Sequence, residues 1–146
     1  MNLTPNFTLE EFTISETAAR AGINNVPHAS SHERKNLQRT AEVMEKVRAI
    51  LGHPILISSG YRSRPVNEAV GGSSSSAHIH GMAADFICPG FGTPLQICKA
   101  LEPHMRELGI DQLIHEFATW VHLGLRHDPR HQCLTIDIKG TRSGFA

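Results

Sequence analysis

The hydrophobic positions of the chain form one long helical stripe, several shorter stripes and a set of strand-like runs. The long stripe advances in steps of three and four residues and comprises Leu37, Ala41, Met44, Val47 and Leu51. Charged residues cover the opposite side of this segment, so the pattern predicts an amphipathic helix. Ser30-x-x-Glu33 matches a capping box at its start, and Gly52 suits the C-cap at its end.

The N-terminal segment carries two short helical signals. Thr8-x-x-Glu11 is another capping box, while Ser15 and Gly22 suit the two ends of a second short helix. Residues 1–29 are therefore expected to form a helical buttress that packs on the rest of the chain.

Strand signals dominate the rest of the chain. The predicted strands cover residues 54–59, 83–87, 111–117, 119–125 and 134–138. One further helix is predicted after Thr93, and Pro103 should interrupt it. Residues 139–146 are small and basic and are expected to be a frayed tail. The predicted fold class is α+β: one domain, 1–146, with helices packed on one side of a small, mostly antiparallel sheet.

Composition narrows the range of functions. The 146 residues are 40% hydrophobic and 19% charged, and 14 basic side chains balance 14 acidic ones. A net charge near zero favours neither nucleic acid nor an anionic membrane as a partner, and no apolar run approaches the roughly 20 residues of a membrane span. The N-terminus lacks the features of a signal peptide, so the chain is expected to be made in the cytoplasm. A monomer is expected. Its cysteines, Cys88, Cys98 and Cys133, suggest neither a disulfide framework nor a metal knuckle.

The strongest chemical signal is a histidine seven residues before an aspartate, His78 and Asp85. Imidazole nitrogen and carboxylate oxygen both bind zinc in tetrahedral sites. Gly81 allows a sharp turn after the histidine, and Ala83 shares strand parity with Asp85 and leaves room for an ion. The stretch thus predicts a loop ligand, a tight turn and a strand that delivers a carboxylate.

Ser76, His78, Gly81, Ala83 and Asp85 together resemble the SxHxxGxAxD motif of the LAS zinc peptidases. That group includes D-alanyl-D-alanine carboxypeptidases, phage L-alanyl-D-glutamate endopeptidases and the Hedgehog signalling domain. The resemblance extends from Phe7 to Leu125. It implies the Hedgehog/D-Ala-D-Ala-peptidase fold, one Zn²⁺ per chain and a substrate among peptidoglycan stem peptides.

A third metal ligand is expected from the hairpin at 111–125. His122 shares its strand face with Gly124, which leaves space, and it resembles the ligand of the WVH motif in the same peptidases. Glu116 is the candidate general base, because a three-residue connection would put it opposite His122 on the same face. Many relatives instead have an acid three residues before that histidine, where this chain has Thr119.

Other residues are candidates for substrate binding or support of the metal. Arg62 follows a predicted strand within an SGYRS block that resembles the carboxypeptidase branch, and it is expected to orient the peptide or stabilise an oxyanion. Ser76 and His80 lie beside the first ligand, and Trp120 lies two residues before His122. His115 has the opposite strand parity and is an alternative acid or oxyanion donor.

These observations favour a zinc metallopeptidase, with a phage or prophage endolysin as the leading hypothesis. Such a protein would accumulate in the cytoplasm and reach the cell wall after release. Two alternatives remain: a D-alanyl-D-alanine carboxypeptidase, and a zinc-containing wall-binding or virion module without catalytic activity.

Overall fold

The computed structural model describes residues 1–145. The chain opens with a short hairpin and two short helices: β1 (Asn2–Thr4), β2 (Phe7–Thr8), α1 (Leu9–Thr13) and α2 (Glu16–Ala21). Both bonds of the predicted Thr8 capping box are present, and Ser15 caps α2 as expected. The hairpin was not predicted, since strands of two and three residues are too short to show an alternating pattern.

The long predicted helix is α3 (His32–Leu51), and it ends at Gly52 as the glycine signal indicated. The predicted cap at Ser30 is wrong by one residue. The Ser31 hydroxyl accepts a hydrogen bond from the Arg34 amide at 3.1 Å and is the N-cap. The helix begins at His32, one residue later than the Ser30 cap requires, and the Ser30 hydroxyl instead lies 2.8 Å from the ring nitrogen Nδ1 of His28.

Six strands form the main sheet, in the spatial order β3-β4-β6-β5-β7-β8. They are β3 (Leu56–Ser59), β4 (Ala83–Ile87), β5 (Ile110–Glu116), β6 (Trp120–Leu125), β7 (Gln132–Asp137) and β8 (Gly140–Ser143). Every neighbouring pair is antiparallel except β5 and β7, which are parallel. The mixed α+β fold with a mainly antiparallel sheet is thereby confirmed.

The frayed tail expected from residue 139 is wrong for residues 140–143. They pair with β7 as an edge strand, and Arg142 of this strand donates two hydrogen bonds to the Asp137 carboxylate at 3.0 and 2.8 Å. Gly140, with a φ of 112°, closes the turn between the two strands. Four exposed residues at a sheet edge carry little hydrophobic signal, so their sequence resembles a tail. Residue 146 of the expected tail lies outside the described residues.

Shorter helices fill the connections between strands: α4 (Arg64–Ala69), α5 (Pro94–Leu101) and α6 (Met105–Leu108), with 3₁₀ turns at Ala77–His80 and Glu102–His104. The second 3₁₀ turn contains Pro103 and separates α5 from α6, which confirms the predicted interruption. The short helix α4 was not predicted. None of the helices within residues 1–145 combines the length and apolarity needed to cross a bilayer.

The sheet has two chemically different faces. Strand residues of one parity join the hydrophobic core with α1, α3 and α5: Ala84, Phe86, Leu113, Val121, Leu123 and Leu125. Residues of the other parity, including Asp85, Trp120, His122 and Gly124, line a cavity. The alternation predicted for β6 is therefore confirmed, and it separates the packing face from the face that carries the polar site.

Candidate metal centre

The first candidate ligand, His78, lies in the 3₁₀ turn Ala77–His80. The Ser76 hydroxyl accepts a hydrogen bond from the His78 amide at 3.2 Å and caps this turn. Gly81 ends it with a φ of 71°, and the Gly81 carbonyl accepts a hydrogen bond at 2.7 Å from Thr40 of α3. The turn is thus fixed against the long helix, and the His78 side chain is only 2% exposed.

The other two candidate ligands face each other on neighbouring strands. Asp85 of β4 pairs with His122 of β6, and both side chains lie on the cavity face. The next pair on this face is Ala83 with Gly124, so the smallest side chains of the sheet lie beside the cluster. A Cβ atom at Gly124 would approach His122 Nε2 to 3.3 Å, which agrees with the predicted need for space.

The distances within the cluster suit a tetrahedral zinc site. One ligand atom from each of His78, Asp85 and His122 can be chosen so that all three lie within 4.8 Å of one another. His78 Nε2 is 3.3 Å from Asp85 Oδ1, and His122 Nδ1 is 2.8 Å from the same oxygen. Bonds of about 2.0–2.1 Å at tetrahedral angles separate neighbouring ligand atoms by about 3.3 Å. The donor set and its spacing therefore fit one zinc ion.

A backbone carbonyl determines which nitrogen of His78 faces the cluster. His78 Nδ1 lies 2.6 Å from the Gly60 carbonyl oxygen, which can only accept a hydrogen bond. Nδ1 must therefore carry the proton, and in the neutral ring Nε2 presents its lone pair toward Asp85. A hydrogen bond of this kind is the usual support of a metal-ligating histidine.

The electrostatics of the cluster favour the protonation states that a metal requires. Burial lowers the pKa of His78 and so favours the neutral imidazole. Burial alone would raise the pKa of the Asp85 carboxyl, but its interactions with neighbouring groups, foremost the hydrogen bond with His122, outweigh burial and keep that pKa below its ordinary value. Neutral histidine and ionised aspartate are the forms that bind metal ions.

Glu116 lies beside the cluster, in a register that differs from the predicted one. It pairs with Trp120, while His122 pairs with Ile114. Because the pairing shifts by two positions, Glu116 keeps the cavity face, and its Oε1 is 3.7 Å from His122 Nδ1. Burial raises the pKa of the Glu116 carboxyl. A carboxylate with a raised pKa next to a candidate metal site suits the role of a general base.

The turn before β6 explains the difference in register. The Thr119 amide donates a hydrogen bond to the Glu116 carbonyl at 3.0 Å, so Phe117 and Ala118 are the central residues of a tight turn. Both have a φ of 53°. Glycine and asparagine are the usual residues at such positions, so neither side chain signals a turn there.

Arg62 also approaches the cluster. Its amide donates to the His78 carbonyl at 3.1 Å, and its guanidinium donates to the Ser76 hydroxyl at 3.3 Å. Burial lowers the pKa of Arg62, while the charges of Asp85 and Glu116 act in the opposite direction. The buried Nε of Arg62 has no hydrogen-bond partner among residues 1–145. Arg62 is nevertheless among the residues that line the cavity beside the cluster.

A cavity of about 820 Å³ unites most of the predicted site. The three candidate ligands line it, together with Glu116, Arg62, Ser76, His80 and Trp120. His115 does not, because its side chain points to the other face of the sheet and lines a separate cavity. The alternative role of His115 as an acid at the metal therefore has no support from its position.

Several residues of the cavity were not predicted. Asp111 and Arg130 line it and form a bidentate ion pair, with bonds of 2.9 and 2.7 Å from the guanidinium to the carboxylate. Gln112 and Arg126 line it as well. The alternation along β5 could have revealed Gln112, whose parity matches that of Glu116. Arg130 lies beyond the hairpin, and only the fold brings it to Asp111.

The fold and the cluster define a class of protein: an α+β chain that carries a candidate mononuclear metal site with two histidines, one aspartate and an adjacent glutamate. Comparison with protein families identifies that class further. The family model "Peptidase M15" matches residues 5–124, and the chain belongs to this family of zinc-dependent peptidases. No protein of curated function matches the chain in a sequence comparison.

Proposed function

We propose that this chain is a zinc peptidase that cleaves peptidoglycan stem peptides as an endopeptidase, in the manner of a phage or prophage endolysin. One observation carries the proposal: a His78–Asp85–His122 cluster with zinc-like spacing shares a cavity with the carboxylate of Glu116. A binding module needs no acid at such a position, whereas a hydrolase needs a group that moves a proton.

Each residue has a separate role in this proposal. His78, Asp85 and His122 hold one zinc ion, which when bound lowers the pKa of a water molecule and polarises the scissile carbonyl. Glu116 accepts a proton from the attacking water and returns it to the leaving amine. Arg62 contributes a partly buried guanidinium that can bind a peptide carboxylate or the oxygen that becomes negative.

The metal assignment is tested by elemental analysis of protein purified in the presence of zinc. We expect one zinc per wild-type chain and its loss in His78→Ala and Asp85→Ala, because two remaining ligands hold the ion poorly. A wild-type protein without zinc would refute the peptidase proposal. Full zinc content in His122→Ala would refute only the third ligand.

The catalytic assignment is tested with Glu116→Gln. We expect the variant to keep zinc and fold but to hydrolyse purified sacculi about 10²–10⁴-fold more slowly, which is the usual contribution of general acid–base catalysis. Glu42→Gln is the matched control, since Glu42 is exposed on α3 and does not line the cavity. Undiminished hydrolysis by Glu116→Gln would move the base to another group.

Mass spectrometry of the digest distinguishes the remaining alternatives. New amino termini within the stem peptide or cross-bridge are expected of an endopeptidase. Release of D-alanine alone, with every other bond intact, would instead identify a D-alanyl-D-alanine carboxypeptidase. Wild-type protein that binds sacculi and leaves their peptide masses unchanged would identify a non-catalytic module.

A further inference from the structure

A second cavity, of about 460 Å³, lies next to the β5–β6 turn. Its lining includes His115, Phe117, Thr135, Asp137, Ile138 and Arg142. Thr135 is the neighbour of His115 on β7, and Arg142 is the neighbour of Thr135 on β8, so three adjacent strands form one wall. The volume falls in the range of about 300–1,000 Å³ that is usual for small-molecule sites.

His115 provides a hydrogen-bonding group that the protein itself does not use. The residue is 8% exposed, and its Nδ1 is buried without a partner within residues 1–145. A proton on that sealed nitrogen would leave a buried donor unpaired, which costs free energy. With the proton of the neutral ring on Nε2, His115, which lines the cavity, can donate a hydrogen bond to a ligand there.

The charged residues of this cavity are already paired. Arg142 donates two hydrogen bonds to Asp137, and the Lys139 amide donates a third to the same carboxylate at 2.8 Å. A carboxylate offers about four acceptor positions, so one remains for a donor from a ligand. Because Arg142 is committed to Asp137, the cavity suits a neutral polar ligand better than an anion.

Apolar side chains complete the cavity. Phe117 is 46% exposed and Ile138 is 96% exposed, which are large exposures for such residues. Phe117 also has a φ of 53°, an uncommon conformation for a bulky side chain and one that is concentrated at functional positions. An aromatic surface beside a donor and an acceptor is complementary to a sugar ring that has both an apolar face and polar substituents.

The second cavity adjoins the metal cavity. Ile136 lines both, and the Phe117 ring lies 5.8 Å from the ring of Trp120, which lines the metal cavity. A polymer whose peptide occupies one cavity could thus extend into the other. In peptidoglycan, the stem peptides are attached to a glycan of N-acetylated hexosamines.

We propose that the second cavity binds an N-acetylated hexosamine unit of the glycan strand. The acetamido carbonyl accepts a hydrogen bond from His115 Nε2, a hydroxyl donates to Asp137, and the ring lies against Phe117. The identity of the ligand rests on the proposed function, because the peptidase substrate supplies the sugar. The site thereby adds a glycan-specificity element to a centre that cleaves peptide.

The binding test uses a peptide-free trimer of N-acetylglucosamine and follows backbone amide shifts by NMR. We expect saturable shifts at residues 115, 135 and 142, and weaker binding of the corresponding glucose trimer, which lacks acetamido groups. His115→Leu should raise the dissociation constant about 3- to 10-fold, the usual effect of losing one neutral hydrogen bond. Ile138→Ser should also weaken binding, and its exposed position tolerates substitution. Ile14→Ser is the matched control and should leave binding unchanged, because Ile14 is also exposed, at 73%, but lies outside the cavity.

The kinetic test compares a sugar-free stem peptide with the same peptide attached to its disaccharide. Ile138→Ser should leave kcat/KM for the sugar-free peptide unchanged and raise KM for the disaccharide peptide. Equal effects on both substrates would overturn the proposal, as would the absence of shifts at this cavity with the trimer at millimolar concentration. Shifts there with the sugar-free peptide alone would assign the cavity to peptide instead. If wild-type protein hydrolyses neither substrate, the proposed function fails, and the NMR titration still decides whether the sugar binds.

Discussion

Gly60 connects the packing of the N-terminal helix to the orientation of His78, and Gly60→Ala tests this connection. The φ of Gly60 is not left-handed, so only the available space limits substitution. A Cβ atom there would lie 2.6 Å from the Phe12 carbonyl oxygen and 2.8 Å from both Phe12 Cα and Cδ1. Two of these atoms belong to the backbone, and the same carbonyl accepts a hydrogen bond from Tyr61 at 2.7 Å. The strand end must therefore move away from α1.

The expected effect has two parts. Overpacking of a buried site costs about 1–3 kcal/mol of unfolding free energy, which for a chain of this size lowers Tm by about 2–12 °C. Displacement of the Gly60 carbonyl also disturbs its 2.6 Å contact with His78 Nδ1. Loss of such a supporting hydrogen bond typically weakens metal binding about 10- to 100-fold.

Thermal unfolding and zinc competition with a chromophoric chelator measure the two parts separately. Gly90→Ala is the matched control, because its Cβ would meet the exposed ring of His53, at 2.9 Å, and that side chain can rotate away. We expect the control to change stability by less than about 0.5 kcal/mol. If Gly60→Ala lowers Tm but leaves zinc affinity at the wild-type value, the proposed role of this carbonyl is refuted. An unchanged Tm would refute the steric argument as well.

Three further expectations concern stability. Gly81→Ala and Gly52→Ala both place alanine at a φ of 71°, which costs about 1–2 kcal/mol of unfolding free energy. Only at Gly81 would the added Cβ atom also approach a backbone carbonyl oxygen of α3, at 2.5 Å, so this variant should lose more stability. Equal losses in urea unfolding would contradict the steric argument. Asp111→Asn should lower the unfolding free energy by about 1–2 kcal/mol at neutral pH. Burial raises the pKa of the Asp111 carboxyl, but hydrogen bonds from the half-exposed Arg130 outweigh burial and hold that pKa below 3.8. A carboxyl whose pKa is depressed in the folded state stabilises the fold above pH 3.8, and this contribution is lost as pH falls through the folded-state pKa. The stabilities of the wild type and Asp111→Asn should therefore converge in acid. A pH-independent difference would exclude this cause. Ala118→Gly should raise the unfolding free energy by about 0.5–1 kcal/mol in the same urea assay, since glycine adopts a φ of 53° without steric cost. A loss of stability would show that the turn is not strained.

Elements with strong local signals could be predicted from the sequence, and elements without them could not. The α3 helix has a long apolar stripe and a glycine C-cap, and the prediction differs from the structure only at the serine that caps it. In contrast, β1, β2 and β8 contain two to four residues each, and β8 is entirely exposed. Their pairing comes from tertiary contacts and turns, and short segments of this kind carry almost no periodicity.

The candidate ligands were easier to predict than the group beside them. His78 and Asp85 belong to one short motif, in which the glycine turn and strand parity restrict where each side chain can point. Glu116 depends on the register of a hairpin, and one residue more or less in the turn changes every pair along it. The observed turn has Phe117 and Ala118 at left-handed φ values, for which the sequence offers no glycine or asparagine. Glu116 still reaches the cavity because the shift of two positions preserves the period of a strand.

The groups that tune the site are the least accessible to sequence reasoning. The proton on His78 Nδ1 is assigned by the carbonyl of Gly60, a backbone atom that every residue type possesses. A sequence motif therefore cannot identify it. The sequence does contain Gly60, and glycine suits this position because a Cβ atom there would lie 2.6 Å from the Phe12 carbonyl oxygen. Glycine at this position therefore has two effects: it lets α1 pack closely, and this packing holds the carbonyl that orients a candidate metal ligand. A larger residue at position 60 would disturb the candidate metal centre without changing any of the three residues proposed to bind the ion.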